Sequence, residues 1–245
     1  MRNAMRAGTV MIPGHGGDEI EAYTAQPDDG TALGGVVVIH HMPGFDAASK
    51  EYARTFAAHG YNAVVPNLYW REAPGADPSD AAAAARALGG VPDARLVGDV
   101  AGAAAYLRGL ASSNGKVGVI GHCSGGRQAV LAACSLDLQA AVDCYGAFVM
   151  VAPPAASGMI REPLVGMLGD LACPLLGLFG ADDTHPAPAE NADLAAALDK
   201  HGKTHDFHTY DGAGHAFFNV DRVAYRPEAA QDGWEKIWAF FEANL

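Results

Sequence analysis

The 245-residue sequence is short of basic residues, and this shortage excludes two classes of partner. Its 16 Lys and Arg are outnumbered by 28 Asp and Glu, so the formal net charge is -12. Nucleic acids and anionic membranes both bind to basic surfaces, and a chain this acidic offers little of that kind. We therefore expect neither as a partner.

Cysteines and long apolar runs are also scarce. The four cysteines stand at positions 123, 134, 144 and 173 with no Cys-x-x-Cys pair, which is too sparse for a disulfide framework. No apolar run reaches the length of a transmembrane helix, and residues 1–11 lack the apolar core of a signal peptide. We expect a soluble cytoplasmic protein, a monomer or small homo-oligomer, in which a free thiol persists.

Half of the residues are hydrophobic, and they form short strand-like runs that alternate with helical patterns. The predicted strands are residues 9–13, 19–24, 35–39, 61–66, 117–120, 140–145, 175–179 and 204–210. The predicted helices are residues 50–59, 93–110, 128–133, 187–201 and 228–245, with a further helix around 81–85 and a loop over 67–80. This alternation predicts one α/β domain over residues 1–245, with a mostly parallel sheet covered on both faces and its first two strands at an edge.

A strand, a tight turn and a helix are predicted around residues 121–126, whose sequence is Gly-His-Cys-Ser-Gly-Gly. This is the pattern of a nucleophile elbow, a strained turn that exposes one reactive side chain at the top of a sheet. The turn needs small residues two positions before and two after the nucleophile. If Cys123 is the nucleophile, both of these positions are glycine, Gly121 and Gly125. If Ser124 were the nucleophile, the position two before it would be the large His122. Without such a frame a lone cysteine is more often a packing residue, but here the register favours Cys123 as nucleophile.

Loops after two later strands supply an acid and a base. The loop after strand 175–179 contains Asp182 and Asp183, either of which could orient a histidine, although Asp also suits turns and helix caps. The glycine-rich loop after the last strand contains His215 and could bring it towards Cys123. Nucleophile, acid and histidine in this order are the arrangement of α/β-hydrolases.

These motifs, with residues 36–44 (Val-Val-Val-Ile-His-His-Met-Pro-Gly) and 225–230 (Tyr-Arg-Pro-Glu-Ala-Ala), resemble the dienelactone hydrolases, or carboxymethylenebutenolidases. The cysteine elbow is the most specific element, since most α/β-hydrolases have serine there. The resemblance runs over nearly the whole chain and implies the α/β-hydrolase fold. It implies a triad of Cys123, His215 and, by its spacing from the preceding glycine, Asp183.

The resemblance also assigns the groups around the nucleophile. The backbone N–H groups of Met42 and Ser124 would form the oxyanion hole. His41 stands where the best-studied family pattern has a glutamate beside the resting cysteine, so we expect it to line the substrate site and tune the thiol.

An arginine that holds the substrate carboxylate in the family corresponds to Arg71, flanked by the aromatic Trp70. A second family arginine shortly after the catalytic histidine has no counterpart, because Phe218 and Asn219 stand there. We therefore expect Arg71 and Trp70 to bind substrate as a clamp with one arm, with only a modest preference for anionic substrates.

The implied reaction is hydrolysis of an enol lactone or activated ester through a thioester on Cys123. A thiolate is itself a good leaving group, so the departing oxygen must be a stable anion such as an enolate or phenolate.

No metal or other cofactor is needed, and His40 and His41, adjacent on a strand, should point to opposite sides rather than chelate zinc. The alternatives are a general esterase or thioesterase and, in another class, a non-catalytic protein whose Cys123 senses oxidants.

Overall fold

A computed structural model describes residues 4–28, 30 and 33–245, so a small part of the expected 1–245 domain lies outside the described residues. Its eight strands are Met5–Pro13 (β1), Glu19–Pro27 (β2), Gly35–Ile39 (β3), Asn62–Pro66 (β4), Val117–His122 (β5), Ala140–Cys144 (β6), Leu175–Gly180 (β7) and His205–Tyr210 (β8). They form one sheet in the order β1-β2-β4-β3-β5-β6-β7-β8. Every pairing from β4 to β8 is parallel, and β2 is antiparallel to both of its neighbours. The mostly parallel sheet is confirmed.

The expectation that both of the first two strands lie at an edge is half wrong. β1 is at the edge, but β2 lies between β1 and β4. The reason is the register of the hairpin, which pairs Met5 with Pro27 and Pro13 with Glu19, so that β1 covers the whole of β2.

The helices are Ala47–Ala58 (α1), Pro78–Ala87 (α2), Asp93–Arg108 (α3), Ser124–Ser135 (α4), Pro188–Lys200 (α5) and Pro227–Asn244 (α6). Short 3-10 turns occupy His15–Gly17, Ala155–Ser157 and Val165–Asp170. In the part of the chain that the structure covers, no helix combines the length and apolarity that a membrane crossing requires.

Helices α1 and α2 begin earlier than their sequence patterns predict. α1 begins at Ala47 rather than at residue 50, because the Asp46 carboxylate accepts a hydrogen bond from the backbone N–H of Ser49 at 2.9 Å and caps the helix. The loop predicted up to residue 80 ends sooner, because Pro78 suits the first turn of α2.

The central strands are buried on both faces. In β3, Val36 and Val38 pack in the core on the side of α1 and α6, while Val37 and Ile39 pack in the core on the side of α2, α3, α4 and α5. Alternate side chains of a strand point to opposite faces, so a continuous β-branched run can serve both cores at once.

Parallel strands place their carboxyl ends at one edge of the sheet. The loops that follow β3, β5, β7 and β8 therefore meet there, and each of them contains at least one residue expected at the catalytic site. This edge is where open α/β sheets bind ligands.

Candidate active site

Cys123 sits at the turn between β5 and α4 with a strained backbone. Its φ is 56° and its ψ is -123°, a region that residues with a Cβ rarely adopt and that costs about 1–3 kcal/mol. The backbone N–H of Cys123 donates to the carbonyl of Cys144 on the neighbouring β6 at 3.0 Å, which ties the turn to the sheet.

The glycines that flank this turn have no room for a side chain. A Cβ on Gly121 would lie 1.8 Å from the carbonyl oxygen of Gly125, and a Cβ on Gly125 would lie 2.3 Å from the carbonyl oxygen of Ile39. These are contacts with backbone, which a rotamer change cannot relieve. The small-residue frame expected around Cys123 is therefore confirmed.

Asp183 and His215 form the hydrogen-bonded pair of the site. His215 Nδ1 lies 2.8 Å from Asp183 Oδ2, and the side chain of Asp183 is almost fully buried. The other oxygen, Oδ1, accepts from the backbone N–H of His185 at 2.9 Å, which fixes the carboxylate. Asp182 is exposed, and its N–H is bonded to the carbonyl of Ala213. Of the two aspartates, the structure brings Asp183 to the histidine.

The surroundings of His215 favour its charged form. Burial lowers its pKa, but hydrogen bonds to Asp183 and Cys123, together with the charges of these groups, outweigh burial and raise the pKa to about 10. The ring also packs edge-on against Tyr145, with 5.1 Å between ring centroids. A histidine in this state can hold a proton beside the thiol and donate it later.

Two cavities meet at the thiol. A large cavity of about 450 Å³ is lined by His41, Met42, Cys123, Tyr145, His215 and Arg222, among others. A small cavity of about 100 Å³ has Met42 and Cys123 in its wall as well, with Tyr69, Ser124, Phe148 and Arg161. Of the residues expected in catalysis, His215 lines only the first and Ser124 only the second.

Backbone strain is concentrated in the walls of these cavities. In residues 4–28, 30 and 33–245, the only non-glycine residues at positive φ are Cys123, Tyr145, Phe148 and Ala216, and each lines one or both cavities. Such conformations persist when the surrounding fold enforces them, and they cluster where a site needs fixed geometry.

The two expected oxyanion donors lie in these walls. Met42 follows β3 and Ser124 is the first residue of α4. Among the residues described, neither backbone N–H donates to another protein group, which leaves both free for a ligand. The first N–H groups of a helix lack partners within the helix and carry its positive dipole end, so a developing oxyanion is favoured there.

His41 lines the large cavity, as expected, and is joined to an acid that the sequence did not single out. Its Nε2 lies 2.7 Å from Asp46 Oδ2, and only 7% of His41 is exposed. Burial raises the pKa of Asp46, but the bonds from His41 and Ser49 outweigh it and lower the pKa to about 2. The cap of α1 therefore also holds the ring of His41 in the cavity wall.

Neither nitrogen of His40 is free for a metal. Its Nδ1–H donates to the carbonyl of His41 at 2.9 Å, and its Nε2 accepts from the N–H of Leu68 at 3.2 Å. Burial lowers the pKa of His40 to about 4, so it stays neutral. No cluster of three or more potential metal ligands occurs within the described residues.

The structure does not bring Arg71 or Trp70 to the thiol, which contradicts the expected substrate clamp. Arg71 donates from both terminal nitrogens to the fully buried Asp99, at 2.9 and 3.0 Å, and from Nε to Asp18 at 2.9 Å. Trp70 packs against the apolar core instead. Neither residue lines the two cavities that contain Cys123. The partner that holds Arg71 lies on α3, a contact that no local pattern reveals.

Two residues near the thiol were missed by the sequence analysis. Tyr69 belongs to the same loop as Arg71, where the expected substrate contact was its neighbour Trp70. Arg161 lies in the long segment between β6 and β7, where no periodicity or motif marks any residue. Only the folded chain places both beside Cys123.

Comparisons with known proteins show the family of this chain. The model of the dienelactone hydrolase family matches residues 20–245. A protein from Methylorubrum extorquens, provisionally named a carboxymethylenebutenolidase, is 33% identical over 242 residues that cover 98% of this chain and 81% of that protein. A Bradyrhizobium protein, provisionally named a 2-oxo-3-(5-oxofuran-2-ylidene)propanoate lactonase, is 28% identical over 233 residues, which cover 95% of this chain and 92% of that one.

Solved structures extend the similarity to the fold. The crystal structure of a provisionally named dienelactone hydrolase from Klebsiella pneumoniae matches with a TM-score of 0.85 and 30% sequence identity, covering 98% of this chain and 99% of that one. The eight-stranded sheet with helices on both faces is the α/β-hydrolase fold. The chain belongs to the dienelactone hydrolase family.

Proposed function

We propose that this hydrolase opens an enol lactone or cleaves an activated carboxylic ester through a thioester on Cys123. One observation carries the proposal: the strained Cys123 shares a cavity with His215, and His215 is hydrogen-bonded to the buried Asp183. This arrangement supports Cys123 as nucleophile, His215 as base and Asp183 as the acid that orients the base.

In the first step, the sulfur of Cys123 attacks the carbonyl carbon of the substrate. His215 holds the thiol proton, and Asp183 stabilises the resulting imidazolium. The carbonyl electrons move to the oxygen, where the N–H groups of Met42 and Ser124 stabilise the negative charge. Each such donor contributes about 3 kcal/mol in other acyl-transfer enzymes.

Collapse of this intermediate restores the carbonyl and breaks the bond to the leaving oxygen, which takes the proton from His215. The thiolate competes as a leaving group, so enolates and phenolates depart more readily than simple alkoxides. Water then attacks the thioester while His215 removes its proton, and the free acid and thiol are regenerated.

The names of the relatives support a lactone or ester as substrate, since one is provisionally named a carboxymethylenebutenolidase and another a lactonase. The reaction also needs Cys123 as a free thiol, and in the structure it is not disulfide-bonded. A reducing cytoplasm would keep it so.

Pre-steady-state hydrolysis of 4-nitrophenyl acetate tests the proposal. We expect a burst of 4-nitrophenol equal to the enzyme concentration and an acetyl group on Cys123 by peptide mass spectrometry. Cys123→Ala should abolish turnover, whereas the matched Ser124→Ala should retain most of it, because residue 124 contributes its backbone N–H. Turnover that survives in Cys123→Ala would refute the thioester, and a protein that only undergoes oxidation at Cys123 would be a sensor instead.

A further inference from the structure

The two cavities differ in the catalytic groups that line them. His215, which returns its proton to the leaving oxygen, lines only the large cavity. Ser124, whose N–H stabilises the oxyanion, lines the small cavity. A leaving group must stay within reach of the histidine, so it belongs in the large cavity. The acyl group is then directed to the small one.

The small cavity holds a cation that its neighbours do not fully neutralise. Arg127 binds Asp93 through both terminal nitrogens, at 3.0 and 2.8 Å. Arg161 approaches the same carboxylate at 3.5 Å and donates to the carbonyl of Val91. Two guanidinium groups thus share one carboxylate, which leaves one positive charge at the wall of the cavity. Burial lowers the pKa of Arg161, but an arginine keeps its charge at any ordinary pH.

Other polar atoms in this wall also lack partners. Ser124 Oγ and Gln128 Oε1 are buried, and within the described part of the chain neither has a hydrogen-bond partner. Burial raises the pKa of Tyr69 to about 12, so its hydroxyl remains a donor. Buried polar groups are seldom left unsatisfied, and a ligand that supplies oxygen atoms would complete this set.

The rest of the wall is apolar and leaves little space. Ala147, Phe148 and Met159 contribute carbon and sulfur surface. At about 100 Å³, the small cavity has less than a quarter of the volume of the large one, which is about 450 Å³, and this difference favours short acyl groups.

We propose that the small cavity is the acyl pocket of this enzyme and that Arg161 selects short acyl groups ending in a carboxylate. This inference rests on the proposed function, because it needs a thioester on Cys123. Arg161 is a specificity-determining residue in place of the expected Arg71, and it reaches the pocket from the segment between β6 and β7 rather than from the loop after β4.

A series of phenyl esters with acyl chains from two to eight carbons tests the size of the pocket. The values of kcat/KM should fall at least tenfold once the chain exceeds about four carbons. Met159→Ala widens the wall and should shift this limit towards longer chains. A flat dependence on length, or a limit that Met159→Ala leaves in place, would overturn the assignment of the acyl pocket.

A matched pair of esters tests the role of Arg161. Monophenyl succinate and phenyl butanoate have acyl groups of the same four-carbon length, and only the first carries a charge. Arg161→Gln should lower the anionic-to-neutral ratio of kcat/KM by about 10- to 100-fold, as expected for loss of a charge-assisted contact. Arg222→Gln removes a cation from the large cavity instead and should leave this ratio within about threefold. An unchanged ratio in Arg161→Gln, or an equal fall in both variants, would overturn the proposal.

Thioester formation and acyl selectivity can be measured separately. If the wild-type enzyme forms no thioester on Cys123 with any ester, the proposed function fails. If the thioester forms but neither chain length nor Arg161 affects its rate of formation, the function stands and the acyl-pocket assignment is wrong.

Discussion

At the scale of single residues, the site depends on which carboxylate reaches the histidine. Asp183→Asn replaces the carboxylate that accepts from His215 Nδ1 with an amide. The amide can donate to Nδ1 instead and so hold the imidazole in the tautomer that cannot accept the thiol proton. We expect kcat to fall by about 10⁴-fold, as in other triads that lose the orienting acid. Asp182→Asn is the matched control on an exposed neighbour and should cost less than about threefold. Steady-state kinetics on one activated ester compare the two, and the reverse ranking would transfer the role to Asp182.

His215 also links stability to pH. Its pKa rises from 6.5 to about 10 on folding, so the folded protein binds this proton more tightly than the unfolded chain does. The resulting stabilisation is complete below about pH 6.5 and is lost as the pH rises towards 10. Urea unfolding of wild type and His215→Gln across this range should show a difference in free energy of unfolding that shrinks as the pH rises. A difference that stays constant or grows would show that the histidine gains no proton affinity on folding.

At the scale of elements, the elbow depends on the close approach of β5 and α4. Gly121→Ala would place a Cβ 1.8 Å from a backbone oxygen of Gly125, so strand and helix must separate. Overpacking typically costs about 1–3 kcal/mol in the free energy of unfolding, and we expect a loss of at least this size. Activity should be lost as well. Gly166→Ala is the control, because nothing lies within 4 Å of its added Cβ. Equal unfolding free energies for the two variants would contradict this account of the turn.

The same elements show how far sequence patterns reach. The alternation of strands and helices, the glycine frame of Cys123 and the strand-end positions of Asp183 and His215 are local signals, and all of them match the structure. The start of α1 was missed because Asp46 caps the helix through a side-chain contact. Arg161 was missed because its segment has no periodic pattern, and its place beside the thiol depends on packing between distant parts of the chain.

At the scale of the whole molecule, Arg71 joins three parts of the fold. It lies in the loop after β4, it binds Asp99 on α3, and it also reaches Asp18 in the turn of the β1–β2 hairpin. Asp99 is fully buried, and its Oδ1 also accepts from the backbone N–H of His15 at 2.8 Å. The arginine therefore neutralises a carboxylate inside the protein, and it lies away from the two cavities that contain Cys123.

Replacing Arg71 should accordingly change stability and not selectivity. Arg71→Leu leaves the charge of Asp99 buried without its partner, and we expect a loss of about 3–5 kcal/mol in the free energy of unfolding. Arg71→Leu/Asp99→Leu removes both charges and should recover a large part of that loss. The anionic-to-neutral ratio of kcat/KM for the folded enzyme should stay at the wild-type value in Arg71→Leu, in contrast to Arg161→Gln. A stable Arg71→Leu protein that had lost its preference for anionic esters would return Arg71 to the substrate site, because only a contact with the ligand could produce that combination.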